Sequence, residues 1–141
     1  MAYRRKGLKT VAKTLLVTDD AWIIREMIKD AASGAGWEIV GEAAHGQEAI
    51  QRYRELKPRA VTLDLVMPEF DGLHALRGIM DLDPHANVVV VSALDQRTVL
   101  KQAFKLGAAD FIVKPFDKRV LVETLEQRVS EAPGTGSESP A

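Results

Sequence analysis

The sequence predicts an α/β fold: a doubly wound, five-stranded parallel sheet with helices on both faces. Two observations predict it. Five short apolar runs, rich in β-branched residues, alternate with five stretches whose apolar residues recur at helical spacing. The runs are continuous rather than alternating, as strands covered on both faces must be. The 141 residues, 46% hydrophobic and 28% charged, suit one domain with one core.

The elements follow in order. KTLLVTDD is a strand at about 13–18, stopped by Asp19 and Asp20, and Asp20 is a candidate cap for the helix that follows. That helix places Ile23, Ile24, Met27, Ile28 and Ala31 at helical spacing and ends at Gly34 and Gly36. Trp22, at its start, reads as a packing residue. WEIVGEA is a short strand. HGQEAIQRYRELKP is a helix with Ala49, Ile50, Tyr53 and Leu56 inward, closed before Pro58. RAVTLDL is a strand and MPEFDG a loop. GLHALRGIMDLDP is a helix ending before Pro84. NVVVVSA, with four valines in a row, is the clearest buried strand. DQRTVLKQAFKLGA is a helix with Gly107 at its end, and DFIVKPF a strand stopped by Pro115. Asp117 caps a last helix with Leu121, Leu125 and Val129 on one face.

Charge is unevenly placed. Arg4, Arg5, Lys6, Lys9 and Lys13 crowd the start, while residues 14–130 hold 14 basic against 18 acidic side chains. Residues 1–12 read as a solvated basic arm, 13–129 as the folded domain, and the Pro- and Gly-rich 130–141 as a disordered tail. A pI near 6.3 gives no reason to expect nucleic-acid binding. No apolar run approaches the roughly 20 residues of a membrane helix, and the first residues lack a secretory signal's apolar stretch, so a cytoplasmic protein is expected. Without cysteine, a disulfide scaffold, a thiol enzyme and a zinc–thiolate site are excluded. His45, His74 and His85 have no metal-ligand spacing.

Chemistry concentrates where strands end. Asp19 and Asp20 follow the first strand, Asp64 ends the third, Ser92 the fourth and Lys114 the fifth. A parallel sheet puts all these ends on one edge, the edge where open α/β sheets bind ligands. Each residue alone has a plain structural explanation as a cap, a turn residue or a surface charge; their joint placement does not. Three clustered carboxylates repel unless a cation neutralises them. Oxygen ligands without histidine or cysteine suit a hard ion, magnesium above all. A carboxylate nucleophile, a metal, a lysine and a hydroxyl are what phosphoryl transfer needs.

TDD at 18–20, DLVMPEFDG at 64–72, SA at 92–93 and KPF at 114–116 resemble the receiver domain of response regulators over roughly 13–129. Among receivers the chain is most similar to the stand-alone chemotaxis type. The resemblance implies the strand order 2-1-3-4-5 and assigns roles. Asp64 would accept a phosphoryl group from a histidine kinase. Asp19, Asp20, Asp64 and the main-chain carbonyl of Val66 would hold Mg2+. Lys114 would contact the phosphoryl group, and Ser92 would swing inward to bond one of its oxygens. Phe111 would be a switch aromatic, a role compatible with core packing. The Lys114–Pro115 bond would be cis. A downstream protein effector would read helix four, strand five and helix five, where Gln96, Arg97, Lys101 and Lys105 form a basic face. A monomer or weak dimer without membrane insertion is expected, which catalyses only its own phosphorylation and dephosphorylation. Relatives often carry polar residues where this chain has Val66 and Leu94, so slow loss of the phosphoryl group is expected.

Other readings stay open. A phosphorelay shuttle would pass the group to a second histidine. An aspartate-nucleophile phosphohydrolase would need a second aspartate at Val66. A flavin carrier would need a hydroxyl-rich loop where TDDAW is acidic, and a DNA-binding output has too few residues after the last helix.

Overall fold

A computed structural model describes residues 12–67, 72–93 and 97–130. Ten elements alternate: β1 (Thr14–Thr18), α1 (Trp22–Gly34), β2 (Glu38–Ala43), α2 (Gly46–Leu56), β3 (Ala60–Leu63), α3 (Gly72–Leu82), β4 (Val88–Ala93), α4 (Arg97–Leu106), β5 (Asp110–Lys114) and α5 (Lys118–Ser130). All strand pairs are parallel, and the order is β2-β1-β3-β4-β5. The order implied by the family resemblance is therefore the one observed. The expected arm and tail lie outside the described residues, all but Ala12 and Ser130, as do Leu94 and Gln96.

The pleat explains why the strands are apolar throughout. Leu15 and Val17, with Val89 and Val91, pack under α1 and α5 against Ile28, Ala32, Leu121 and Leu125. Leu16, Val61, Leu63, Val88 and Val90 face the other way, under α2, α3 and α4, against Ile50, Tyr53, Leu76, Ile79 and Ala103. Each of these strand residues is 0% or 1% exposed. Burying one such side chain is worth about 1.5–3 kcal/mol, so the two clusters dominate the stability of the fold.

Helix ends follow the expected chemistry with one exception. The Asp117 side chain accepts the Arg119 N–H at 2.7 Å at the start of α5. His45 caps α2 through Nδ1, which accepts the Glu48 N–H at 3.3 Å, and Glu48 reaches back to the Ala44 N–H at 2.8 Å. Asp20 does not cap α1. The N-cap is Ala21, without a side-chain bond, and Asp20 is exposed. Asp19 instead takes the Ala21 N–H on Oδ1 at 2.9 Å.

The helical pattern of α1 also overstates its buried face. Ile28, Ala31 and Ala32 are buried, whereas Ile23 is 54% and Met27 38% exposed. A helix on a flat sheet buries one stripe, and these two residues fall beside it. Trp22, read as a packing residue, is 62% exposed at the same end. Leu56 is only partly buried.

A cavity of about 700 Å3 lies at the amino-terminal edge of the sheet, where Arg54, Lys57, Arg59 and Asp83 line it. Arg54 and Lys57 stand at the carbonyl end of α2, where cations offset the helix dipole. Asp83 is fully engaged: Oδ2 accepts from the Tyr53 hydroxyl at 2.8 Å and Oδ1 from the His85 N–H at 2.9 Å. Burial, reinforced by Asp83, raises the Tyr53 pKa well above the usual phenol value. No helix of the described residues is long and apolar enough to cross a membrane.

Candidate functional site

The opposite edge gathers the residues singled out by sequence. Thr18 pairs with Leu63, so the next residues, Asp19 and Asp64, leave the sheet side by side. Ala93 pairs with Lys114, which brings Ser92 and the lysine to the same edge. Asp19, Asp64 and Ser92 are buried, and Asp20 is exposed at the rim. The Lys114–Pro115 bond is cis, as the resemblance implied.

Asp64 is held by three groups. Its Oδ1 accepts the Val66 N–H at 3.1 Å and the Ser92 hydroxyl at 3.2 Å. Its Oδ2 faces Lys114 Nζ at 3.3 Å. Ser92 is therefore already turned inward onto the carboxylate. Lys114 Nζ also pairs with Asp19 Oδ2 at 2.8 Å. Gly72 lets the start of α3 close over this loop: a Cβ there would run into Leu65 Cα and the Asp64 carbonyl oxygen.

Carboxylate atoms of Asp19, Asp20 and Asp64 lie within 4.8 Å of one another, two of the residues buried. Burial raises the Asp64 pKa, and the charge of Asp19 adds to the rise, against the Val66 N–H and Lys114. Burial works to lower the Lys114 pKa, but the bond to Asp19 and the field of Asp64 outweigh it, and the net shift is upward. The lysine is thus a fixed cation against three carboxylates. The remaining negative charge, on oxygen donors alone, fits a hard divalent cation such as Mg2+.

Asp19 is gripped through its backbone as well. Its N–H donates to Ala43 O at 3.0 Å, and its carbonyl accepts from Arg25 Nη1 at 2.7 Å. Arg25 Nε donates to Glu42 Oε1 at 2.9 Å. Glu42 also takes Lys29 at 2.6 Å, which lowers its pKa, and Lys29 is raised by its bonds to Glu26 and Glu42. Sequence reasoning missed Arg25 and Glu42. Their only sequence signal is a cation on the first turns of α1 and one of the two acids, Glu38 and Glu42, on a short strand, which fits a solvated pair equally well.

Phe111 is less buried than core packing requires. It is 38% exposed and meets Phe104 of α4 edge to face, the ring centres 5.8 Å apart. Val66 is 57% exposed beside Asp64. Arg97, Lys101 and Lys105 of α4 are exposed, as expected of a basic face.

Residues 15–126 match the response regulator receiver domain model. The chain is 46% identical over 117 residues to the chemotaxis protein CheY of Thermotoga maritima, covering 83% of this chain and 98% of that one. It is 49% identical over 113 residues to CheY of Listeria monocytogenes, covering 80% and 95%. Among solved structures, a CheX–CheY–BeF3–Mg2+ complex of Borrelia burgdorferi superposes with a TM-score of 0.74 at 33% identity, covering 84% of this chain and 87% of that one. The fold, the strand-edge motifs and these matches over most of the chain agree: it belongs to the response regulator receiver domain family and is a receiver of two-component signalling.

Proposed function

We propose that the chain accepts a phosphoryl group on Asp64 from the phosphohistidine of a histidine kinase and passes the signal to a protein effector, in a chemotaxis-type role. One observation carries this reading: a buried carboxylate with a hydroxyl on one oxygen and an ammonium on the other, beside two further carboxylates. An Asp64 oxygen attacks phosphorus, the P–N bond breaks, and its electron pair returns to the imidazole. The product is an acyl phosphate. Lys114, bonded now to Asp64 Oδ2, is poised to neutralise a phosphoryl oxygen. The Ser92 hydroxyl, which Asp64 engages now, can turn to a second oxygen of the product. Asp19, Asp20, Asp64 and the Val66 carbonyl would hold Mg2+, which supplies positive charge against the phosphoryl oxygens when bound. The Mg2+ and BeF3 named in the Borrelia complex support this set.

The added group brings about −1.5 to −2 charges to an edge already acidic. Lys114 and Ser92 are the groups free to re-pair, and both lie on the strands that carry α4 and α5. Phe111, half exposed against Phe104, is the switch aromatic. The exposed Arg97, Lys101 and Lys105 suit an effector with an acidic surface. The protein works in the cytoplasm and turns over nothing but its own acyl phosphate.

Intact-mass analysis after treatment with acetyl phosphate and Mg2+ tests the acceptor. Wild type should gain one phosphoryl group, with Mg2+ required, and Asp64→Asn none. A wild type that stays unmodified overturns the reading.

A further inference from the structure

Asp20 is the one member of the acidic cluster with neither a hydrogen bond nor an ion pair to any described residue. Its side chain is exposed at the end of a strand, and helix α1 begins only at Trp22. Its direction is set by the peptide that precedes it, whose oxygen is the Asp19 carbonyl. That oxygen is the one Arg25 Nη1 holds at 2.7 Å. Glu42 holds the same guanidinium through Nε at 2.9 Å, and the side chain of Arg25 is only 16% exposed. Glu42 sits on β2 next to Ala43, whose carbonyl takes the Asp19 N–H at 3.0 Å. Both peptide planes flanking Asp19 are thereby tied to β2, one directly and one through Arg25.

We propose that Arg25, braced by Glu42, is a positioning residue for Mg2+: it fixes the Asp19–Asp20 peptide so that the Asp20 carboxylate faces Asp19 and Asp64. The inference rests on the magnesium reading above. A planar guanidinium suits the task, because its fork spans a carbonyl and a carboxylate at once, which an ammonium does not do in the same geometry. Partners that orient metal ligands commonly change metal affinity by about 10- to 100-fold when removed.

The sign of the effect separates positioning from charge. Arg25 is a cation close to a cation site, so removing its charge alone should tighten Mg2+ binding. Loss of positioning should weaken it. A merely structural role would lower the melting temperature and leave the Mg2+ affinity unchanged. The variants are Arg25→Met, Arg25→Lys and Lys29→Met. The last removes a neighbouring cation that shares Glu42 but does not touch Asp19.

MgCl2 is titrated into each folded protein at one temperature. Two readouts report the affinity: the fluorescence of Trp22, 62% exposed two residues past Asp20, and the Mg2+-induced rise in melting temperature. Wild type should bind. Arg25→Met should bind about tenfold more weakly, Arg25→Lys about threefold more weakly, on the order of half that loss in free energy, and Lys29→Met within about twofold of wild type. Equal or tighter binding by Arg25→Met overturns the proposal and leaves the acidic site standing. A wild type that responds to Mg2+ in neither readout overturns both.

Discussion

The two edges of the sheet carry opposite charge balances, and the difference separates structure from function. At the amino-terminal edge, Arg54 and Lys57 meet the carbonyl end of α2, and the one acid among the cavity-lining residues, Asp83, has both oxygens occupied by Tyr53 and His85. Arg59, the third cation there, keeps its buried Nε without a hydrogen-bond partner among the described residues, so this edge is short of negative charge rather than of positive. At the carboxyl-terminal edge three carboxylates cluster; two of them, Asp19 and Asp64, share one lysine, and Asp20 has no partner among the described residues. Folding alone would not select that excess, since buried like charges oppose it. It becomes favourable when a divalent cation and a phosphoryl group enter the balance.

Lys114→Met breaks this comparison most severely. It leaves Asp19 and Asp64 buried without a cation. Removing one partner of a buried pair costs about 3–5 kcal/mol. Lys114 is 18% exposed, so the solvent screens part of that, and a loss of about 2–3 kcal/mol is expected by urea denaturation without Mg2+. Saturating Mg2+ should restore a sizeable part, because the metal replaces the missing charge. A loss indifferent to Mg2+ would mean that the lysine packs rather than neutralises.

Tyr53→Phe is the matching change at the other edge. It removes the donor to Asp83 Oδ2. A loss of about 1–2 kcal/mol is expected, with Mg2+ affinity unchanged in the same titration. A shift in Mg2+ affinity would show that the edges are coupled and that the contrast between them is too sharply drawn.

How far each edge was legible in the sequence follows the range of the interactions. The strands are legible because two-faced burial demands runs such as Val88 to Val91, and helix periodicity places the rest. The site is legible because a parallel sheet sends every strand end to one edge, so topology alone brings Asp19, Asp64, Ser92 and Lys114 together. What escaped depends on side-chain paths. Ile23 and Met27 match the helical period yet lie beside the buried stripe. Asp20 looks like a cap, but the helix begins one residue later, at the N-cap Ala21, whose N–H Asp19 takes in a tight turn. Gly72 closes on Leu65 and Asp64, and Arg25 crosses to β2. No local pattern encodes either approach.

The smallest expected effect concerns pH, and it sharpens the contrast at a single carboxyl group. Burial, aided by the charge of Asp19, raises the Asp64 pKa in the folded protein. The folded state then holds a proton on Asp64 at pH values where the unfolded chain has released it. Stability from this group is complete below the unfolded carboxylate pKa and is lost as pH rises through the raised folded value. At neutral pH, without Mg2+, ionised Asp64 is therefore a net cost, and Asp64→Asn should be more stable than wild type. The gap should close as pH falls through that window. Glu42 has the opposite sign: Lys29 and Arg25 lower its pKa, so its contribution is present above the unfolded value and fades as pH falls. Subtracting Asp64→Asn from wild type at each pH leaves the Glu42 contribution behind, because both proteins share it. A gap that stays constant with pH would mean that Asp64 titrates as an ordinary carboxylate, with Lys114 and the Val66 N–H fully offsetting its burial.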